Sequence, residues 1–228
     1  MTRPRSLTRW ALRALHVALL CATVAPALVA QVPNAEFAAR REALSRTVGD
    51  GVLLVLGALE PVPDYLPWEQ SRPFYYLTGF REPNAALVMV RRGQQVTGMM
   101  FVPPSDPSRE VWNGARLGVA GVRERYGMEG RDGGTLMRVL DSLLADNVPL
   151  HVVGDFSGGA MVRSAHSQIV DAIRRKHAQR TINDVTAAVN TMRGVKSESE
   201  FHRLRIATEI SARGHLAAIR LATPGVAE

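Results

Sequence analysis

Residues 74–83 have the sequence Phe-Tyr-Tyr-Leu-Thr-Gly-Phe-Arg-Glu-Pro, an aromatic segment that is closed by a glycine and a proline. Aromatic residues suit a half-buried pleated surface, so the segment predicts a β-strand. Gly79 can adopt a positive φ and Pro83 disfavours helix in the residue before it, so we expect the chain to turn between them. Residues 85–90 and 95–102 then predict two more strands joined by a turn. The segment therefore predicts the start of a sheet.

Strand-like and helix-like patterns alternate along the rest of the chain. The continuous apolar run at residues 51–56 is bounded by glycines and predicts a strand covered on both faces, and residues 149–154 predict a short strand. Residues 36–48, 135–145 and 164–177 place apolar side chains at helical spacing and predict surface helices. This alternation predicts the α/β class. The sheet should be mixed, because its central pair is expected to be antiparallel, and helices should flank it.

The first 30 residues have the pattern of a secretory signal peptide. Four arginines precede an apolar stretch from Ala14 to Val29, and small residues around Ala30 offer a cleavage site. A transmembrane anchor is the alternative, but Pro26 disfavours it, and so does the shortness of the stretch against the roughly 20 residues that a span needs. We therefore expect residues 1–30 to be removed and the mature protein to be exported, to the periplasm or outside the cell, without a membrane anchor.

The composition gives no indication of nucleic-acid binding or of disulfide bonds. The full chain has 28 lysine and arginine residues against 21 acidic ones, but four of the arginines lie in the leader, so the mature excess of positive charge is small. The remaining basic residues do not concentrate on one predicted face, as they would in a nucleic-acid-binding protein. The one cysteine, Cys21, also lies in the leader, so the core is expected to form without a disulfide.

Residues 191–228 predict a separate unit after an α/β domain at residues 31–190. Ser197 and Glu200 have the spacing of a capping box, in which each side chain accepts a hydrogen bond from the backbone N–H of the other. The apolar side chains that follow recur at helical spacing and need a partner surface: Phe201, Leu204, Ala207, Ile210, Ala217 and Leu221. Either this helix packs back on the first domain, or its partner lies on polypeptide downstream of Glu228.

The sequence contains no recognisable metal-binding or nucleophile motif. Five histidines outside the leader lack an HExxH, CxxC or aspartate-rich context, so most are expected on the surface or at helix ends: His151, His166, His177, His202 and His215. Residues 154–159, Gly-Asp-Phe-Ser-Gly-Gly, resemble a serine-hydrolase motif around Ser157. The inserted Phe156 breaks the spacing that would position an oxyanion hole. A glycine-rich connection between a strand and a helix is the favoured interpretation.

Residues 106–118 hold the best candidate for a binding role. Trp112 lies between Glu110 and Arg116, so a loop here could present an aromatic surface beside a guanidinium group to a ligand or a protein partner. The alternative is that Trp112 is a core residue and the two charges surround it, because large aromatic side chains are commonly buried. Both interpretations stay open on these residues alone.

Several motifs occur in the order in which a known family has them. Residues 74–83, residues 101–104 (Phe-Val-Pro-Pro) and residues 110–118 (Glu-Val-Trp-Asn-Gly-Ala-Arg-Leu-Gly) resemble the N-terminal domain of aminopeptidase P. This Xaa-Pro aminopeptidase family belongs to the creatinase/prolidase, or pita-bread, superfamily. Residues 193–200 resemble its interdomain linker and the opening of the first helix of its catalytic domain. The resemblance runs from about Phe37 to the end of the sequence.

The resemblance implies a creatinase-like N-terminal domain. For the complete enzyme it implies removal of an N-terminal residue that precedes proline, with two manganese ions held by two aspartates, a histidine and two glutamates downstream of Glu228. No residue of this chain is then expected to be catalytic or to bind metal. The family's N-terminal domain supplies oligomer contacts and part of the substrate pocket's wall, which makes Trp112 the candidate substrate-binding residue. One departure, Glu69-Gln70 where the family commonly has Arg-Gln, bears on the oligomer contacts.

The sequence therefore predicts the exported, non-catalytic N-terminal part of a manganese-dependent Xaa-Pro aminopeptidase that forms a homo-oligomer. Its substrates would be peptides with proline at the second position. The alternative is a binding or oligomerisation module that has lost its catalytic half. The two hypotheses differ in what the gene encodes after Glu228.

Overall fold

A six-stranded mixed sheet lies at the centre of the unit formed by Asn34–Val195. The computed structural model describes residues 32–61, 67–157, 164–222 and 225, and the chain divides into this N-terminal unit and a second unit that includes Lys196–Glu228. The strand order is β4-β3-β2-β1-β5-β6, with strands at Gly51–Leu56 (β1), Ala86–Arg92 (β2), Gln95–Val102 (β3), Glu129–Asp132 (β4), Leu150–Val153 (β5) and Ile182–Asp184 (β6). The predicted leader, residues 1–30, lies outside the described residues.

Helices cover both faces of the sheet. They lie at Asn34–Val48 (α1), Arg72–Thr78 (α2), Pro107–Asn113 (α3), Gly118–Tyr126 (α4), Leu136–Leu143 (α5), Ala165–Lys176 (α6) and Thr186–Gly194 (α7), with a 3-10 turn at Gly133–Thr135. Side chains of α1, α2, α4 and α7 join the core on one face, and those of α5 and α6 join the core on the other. The predicted α/β architecture, a mixed sheet with flanking helices, is confirmed.

Strand β1 is buried along its whole length because both of its faces are covered. Alternate side chains of β1 enter the two cores on opposite faces of the sheet. β1 pairs antiparallel with β2 and parallel with β5, so the sheet is mixed at its centre. The strands predicted at residues 51–56 and 95–102 are confirmed with those bounds. The strand predicted at residues 85–90 begins one residue later and continues to Arg92.

The aromatic segment forms helix α2, so the prediction of a strand there was wrong. Pro73 occupies the first turn, where its missing N–H leaves no bond unmade, and Gly79 closes the helix with φ +68°. Phe74, Leu77 and Thr78 are buried, at the i, i+3, i+4 spacing of one helical face. The preference of aromatic residues for strands depends on context, and burial of this face against the sheet outweighs it.

The second unit contains helix α8 at Glu198–Leu221. Its predicted capping box is confirmed, since the Ser197 hydroxyl accepts a hydrogen bond from the N–H of Glu200 (3.2 Å) and the Glu200 carboxylate accepts one from the N–H of Ser197 (3.0 Å). The helix has no buried residue, and Phe201 and Ile210 are among its exposed apolar side chains. A helix with the length and apolar character of a membrane span does not occur among the described residues.

Asp141 ties helix α5 to the C-terminal end of α6. Its carboxylate accepts hydrogen bonds from Lys176 Nζ and His177 Nε2, and these bonds hold the pKa of Asp141 below its usual value of 3.8. A carboxylate with a depressed pKa stabilises the fold above its unfolded-state pKa, and this contribution disappears as the pH falls through the folded-state pKa. We therefore expect Asp141→Asn to lower the free energy of unfolding at pH 7 by a few tenths of a kcal/mol, and at most by about 1 kcal/mol, because the group lies near the surface.

Urea denaturation at neutral and at acidic pH tests the role of Asp141. The difference between wild type and Asp141→Asn should shrink once the pH falls below 3.8. Asp146→Asn is the control, because that carboxylate is exposed beside Arg92 at 3.3 Å and should contribute less. A difference that stays constant down to acidic pH would mean that Asp141 does not act through its charge.

Candidate functional site

Trp112 lies on helix α3, whose ends are fixed by neighbouring residues and which replaces the predicted loop. The Asp106 carboxylate caps the first turn by accepting a hydrogen bond from the N–H of Ser108 (3.1 Å), and Glu110 Oε1 accepts one from the N–H of Asp106 (3.1 Å). Hydrogen bonds from Ser108 hold the pKa of Asp106 below its usual value, so the cap is ionised at neutral pH. Gly114 ends the helix with φ +79°. The tryptophan is therefore presented by a short helix that is capped at its start.

The Trp112 side chain points to solvent and not into the core. It is 86% exposed, and the neighbouring Val111 is 79% exposed. The structure thus excludes the alternative in which Trp112 is a core residue of this unit. Aromatic side chains combine a large apolar surface with few rotatable bonds, which suits them to recognition. The indole ring is therefore exposed at the surface of this unit.

The two charged residues that flank Trp112 in sequence are engaged elsewhere. Arg116 Nη2 donates to Glu60 Oε1 (2.7 Å), and the Glu110 carboxylate accepts from Ser105 Oγ (2.7 Å). Arg116 and Glu110 therefore each bind a partner other than Trp112. Both charges instead fix the backbone around helix α3.

The segment that follows α3 is anchored to the rest of the unit by carboxylates from two other loops. Glu60 binds Arg116, as described above, and Glu82 Oε1 accepts a hydrogen bond from the N–H of Leu117 (3.0 Å). The second oxygen, Glu82 Oε2, is buried and has no hydrogen-bond partner among the described residues. These anchors keep the base of the Trp112 helix in one position relative to the sheet.

A cleft of about 110 Å³ opens beside α3. Its lining includes Glu60, Asn84, Pro103, Arg109 and Arg116. Pockets that enclose a small-molecule ligand commonly measure roughly 300–1,000 Å³, so this cleft holds at most a side chain or a few waters. Trp112 is not among the residues that line this cleft.

Two of the five histidines are buried, and of these only His151 departs from the expectation of a surface or helix-end position. His151 lies in β5, where every residue is buried, and both of its ring nitrogens lack a hydrogen-bond partner among the described residues. His166 is buried at the start of α6, where its ring accepts a hydrogen bond from the N–H of Asp155 (2.8 Å). The expectation holds for His177, which follows the end of α6, and for the exposed pair His202 and His215.

The described residues do not fit a metal pair. No group of three or more histidine, cysteine, aspartate or glutamate side chains that could hold an ion occurs within residues 32–61, 67–157 and 164–222. The two manganese ions that the resemblance implies for the complete enzyme have no donor set in this part of the chain.

Ser157 does not have the surroundings of a catalytic serine. Its hydroxyl donates a hydrogen bond to the Asp155 carboxylate. The nearby His166 is already occupied, because Nδ1 accepts from the backbone of Asp155 and Nε2 lies 2.9 Å from the carbonyl oxygen of Gly57. No ring nitrogen of His166 is left to take the serine proton. Gly158 and Gly159 of the motif lie outside the described residues.

Gln70 has a structural role that the sequence analysis missed. Its Oε1 accepts hydrogen bonds from the N–H of Ala58 (2.7 Å) and of Ser71 (2.9 Å), and its Nε2 donates to the carbonyl oxygen of Glu82 (2.8 Å). One side chain thus joins three segments that meet at the end of β1. The preceding Glu69, which departs from the family pattern, is exposed. A single glutamine before an aromatic segment gives no local signal of this role, because two of its partners are twelve residues away.

The described residues thus form an α/β unit with a six-stranded mixed sheet, flanking helices and an exposed tryptophan. A family model for the aminopeptidase P N-terminal domain matches residues 37–151, half of the chain. The chain belongs to this family, as the resemblance implies.

Relatives match the chain along most of its length. The Xaa-Pro aminopeptidase of Haemophilus influenzae is 30% identical in an alignment 210 residues long that covers 87% of this chain and 45% of that protein. The Xaa-Pro aminopeptidase of Escherichia coli is 29% identical in an alignment 212 residues long that covers 88% of this chain and 47% of that protein. The solved structure of E. coli aminopeptidase P has a TM-score of 0.73 at 28% identity and covers 86% of this chain and 47% of that one. The chain thus spans about half the length of these relatives.

Proposed function

We propose that this chain is the N-terminal part of a Xaa-Pro aminopeptidase, an enzyme that removes the residue before a proline at the second position of a peptide. The observation that supports the proposal is the match to two bacterial proteins named Xaa-Pro aminopeptidase over 87% and 88% of this chain. The exported location follows from the leader-like residues 1–30 and belongs to the same proposal.

In this proposal, cleavage of the peptide bond depends on residues other than those described. The complete enzyme is proposed to use two manganese ions, and the described residues offer no group of donors for them. The contribution of this chain is then to bind and position the peptide and to form contacts between subunits. It is not proposed to transfer a proton or to attack the substrate.

Trp112 is the proposed substrate-side residue. Its ring is exposed on a helix that is capped by Asp106 and anchored through the Arg116–Glu60 ion pair. An aromatic face held in this way can pack against a proline ring with little loss of side-chain entropy. Because the cleft beside α3 is small, we propose that Trp112 completes the wall of a pocket that another part of the enzyme, or another subunit of a homo-oligomer, provides.

The first test is an activity assay of the purified chain from residue 31 to residue 228. We expect no release of the first residue from an Xaa-Pro peptide in the presence of manganese, because the described residues contain no group of donors that could hold the metal. Measurable turnover would contradict the non-catalytic role.

The gene should also be read beyond the codon for Glu228. An open frame that encodes two aspartates, a histidine and two glutamates in that order supports the enzyme, whereas a stop codon there supports the binding module.

The second test is Trp112→Ala in the product of the complete gene. We expect kcat/KM for an Xaa-Pro peptide to fall by about tenfold or more, as for an aromatic residue that dominates a contact, while the free energy of unfolding stays nearly unchanged because the side chain is exposed. Val111→Ala is the matched control on the same helix and should change kcat/KM by less than about twofold. Equal effects of the two substitutions would show that Trp112 does not contact the substrate.

A further inference from the structure

The two central parallel strands, β1 and β5, form a topological switch point. They are neighbours in the sheet, but the chain leaves β1 toward β2 on one side and leaves β5 toward β6 on the other. The first connection carries α2 on one face of the sheet, and the second carries α6 on the opposite face. In open α/β sheets, ligands bind in the crevice outside the carboxyl ends of two strands whose connections diverge in this way.

A crevice of about 620 Å³ lies at this position. Its walls come from the loop after β1, the loop after β5 and the helices α2, α6 and α7, so it belongs entirely to the N-terminal unit. The volume falls within the roughly 300–1,000 Å³ that is common for small-molecule sites. The crevice is therefore large enough for an amino acid or a short peptide.

Hydrogen bonds hold the walls of the crevice together without a ligand. His166 Nδ1 accepts from the N–H of Asp155 (2.8 Å), so Nε2 carries the ring proton and donates it to the carbonyl oxygen of Gly57 (2.9 Å). The Thr186 hydroxyl oxygen accepts from the N–H of Gly154 (3.1 Å). These bonds join the carboxyl ends of β1 and β5 to the starts of α6 and α7. A site whose walls are already fixed has a smaller entropic cost of ordering when a ligand binds, so it binds more tightly.

The crevice is lined by side chains of both charges. The cationic ones are Arg72 and Arg193, and the anionic ones are Glu69 and Asp155. Arg72, Glu69 and Asp155 form no ion pair within the part of the chain that the structure describes. Hydrogen bonds from Ser157 hold the pKa of Asp155 below its usual value, so this carboxylate is ionised at neutral pH. The crevice thus offers charge complements to both ends of a zwitterion.

We propose that this crevice binds a small zwitterion, a free amino acid or a dipeptide with unblocked ends, at a site that takes no part in bond cleavage. The ligand carboxylate would be bound by Arg72, with Arg193 beside it, and the ligand ammonium by Glu69 and Asp155. Guanidinium–carboxylate and ammonium–carboxylate hydrogen bonds are among the strongest in proteins. The site goes beyond the proposed function and does not depend on it.

Isothermal titration calorimetry of the purified chain with alanyl-proline tests the proposal. Two analogues remove one charge each: N-acetyl-alanyl-proline lacks the ammonium group, and alanyl-proline amide lacks the carboxylate. We expect alanyl-proline to bind most tightly and each analogue to bind at least about tenfold more weakly, the loss that follows from one charge-assisted hydrogen bond. These comparisons use the unaltered chain, so they do not depend on the folding of a variant.

Variants then assign the two ends of the ligand. Arg72→Gln should weaken the binding of alanyl-proline by about tenfold and leave the affinity for alanyl-proline amide unchanged. Glu69→Gln should weaken the binding of alanyl-proline and leave the affinity for N-acetyl-alanyl-proline unchanged. Arg175→Gln, an exposed arginine of α6 outside the crevice, is the control and should bind like wild type.

Three results would overturn the proposal. The first is that alanyl-proline gives no saturable heat with a chain that circular dichroism shows to be folded. The others are that the three ligands bind with equal affinity, or that Arg72→Gln and Glu69→Gln leave the affinities unchanged. Trp112→Ala should leave this binding unchanged. Failure of the crevice proposal is therefore distinguishable from failure of the proposed function, which is read from turnover.

Discussion

Replacing Gly79 by alanine is expected to lower the free energy of unfolding of the N-terminal unit by about 3 kcal/mol. The left-handed backbone conformation costs a residue with a Cβ about 1–2 kcal/mol. Overpacking of the added methyl group costs about 1–3 kcal/mol more. Gly79 has φ +68°, and an added Cβ would lie 2.6 Å from a ring carbon of Phe37. The ring is buried and held in place, with the Tyr75 ring 6.4 Å away and the Arg40 guanidinium 5.4 Å from its centre. It therefore has little room to move aside.

Gly127 provides a matched control for Gly79. Both glycines end a helix in the left-handed region, and both donate their N–H to a carbonyl oxygen four residues earlier, Gly79 to Tyr75 (2.8 Å) and Gly127 to Arg123 (3.0 Å). An added Cβ at Gly127 would meet no heavy atom within 4 Å. Gly127→Ala should therefore cost only the backbone part, about 1–2 kcal/mol. Equal losses in urea denaturation would show that the Phe37 ring does not confine position 79.

Strands β1, β2, β3 and β5 could be predicted because their signals are local, whereas the short edge strands β4 and β6 were not predicted. The five apolar residues 52–56 lie between Gly51 and Gly57, a pattern typical of a strand that is covered on both faces. Helix α2 could not be predicted in this way. Its aromatic composition favours a strand, and the surface that makes it a helix comes from elsewhere in the chain: the core face of the sheet and the Phe37 ring of α1. Burial against distant parts of the chain therefore favours the helix over the strand that the local composition predicts.

The candidate site shows the same division between local and long-range information. The type and position of Trp112 make it a candidate binding residue, but its exposure depends on where α3 lies relative to the sheet. The hydrogen bond of Arg116 to Glu60 spans 56 residues, so no local pattern in the sequence indicates it. The crevice between β1 and β5 was also missed, because a topological switch point exists only once the strand order is known.

Replacing Arg40 by methionine is expected to lower the free energy of unfolding by about 2–3 kcal/mol. This is less than the roughly 3–5 kcal/mol seen when one partner of a fully buried ion pair is removed, because the Glu36 side chain is still 22% exposed. Arg40 is only 8% exposed. Its guanidinium binds the Glu36 carboxylate, donates to the carbonyl oxygen of Tyr76 (3.1 Å) and stacks 4.1 Å from the centre of the Tyr76 ring. Methionine keeps most of the apolar stem but leaves the Tyr76 carbonyl without this donor and Glu36 without this counter-charge.

Arg46→Met is the matched control for Arg40→Met, because Arg46 lies on the same helix and pairs with Glu42 at the same i, i+4 spacing but at the surface. Such an exposed pair contributes about 0.3–0.5 kcal/mol, so the two variants should differ several-fold in urea denaturation. The loss of free energy of unfolding for Arg40→Lys should lie between the losses for these two variants. Lysine keeps the charge but lacks the planar guanidinium group, which stacks on Tyr76 and binds Glu36 at the same time. Losses of similar size for Arg40→Met and Arg46→Met would mean that burial adds nothing to the first pair. In that case α1 and α2 would be held together by the apolar contacts of Phe37 and Tyr75 and not by the guanidinium between them.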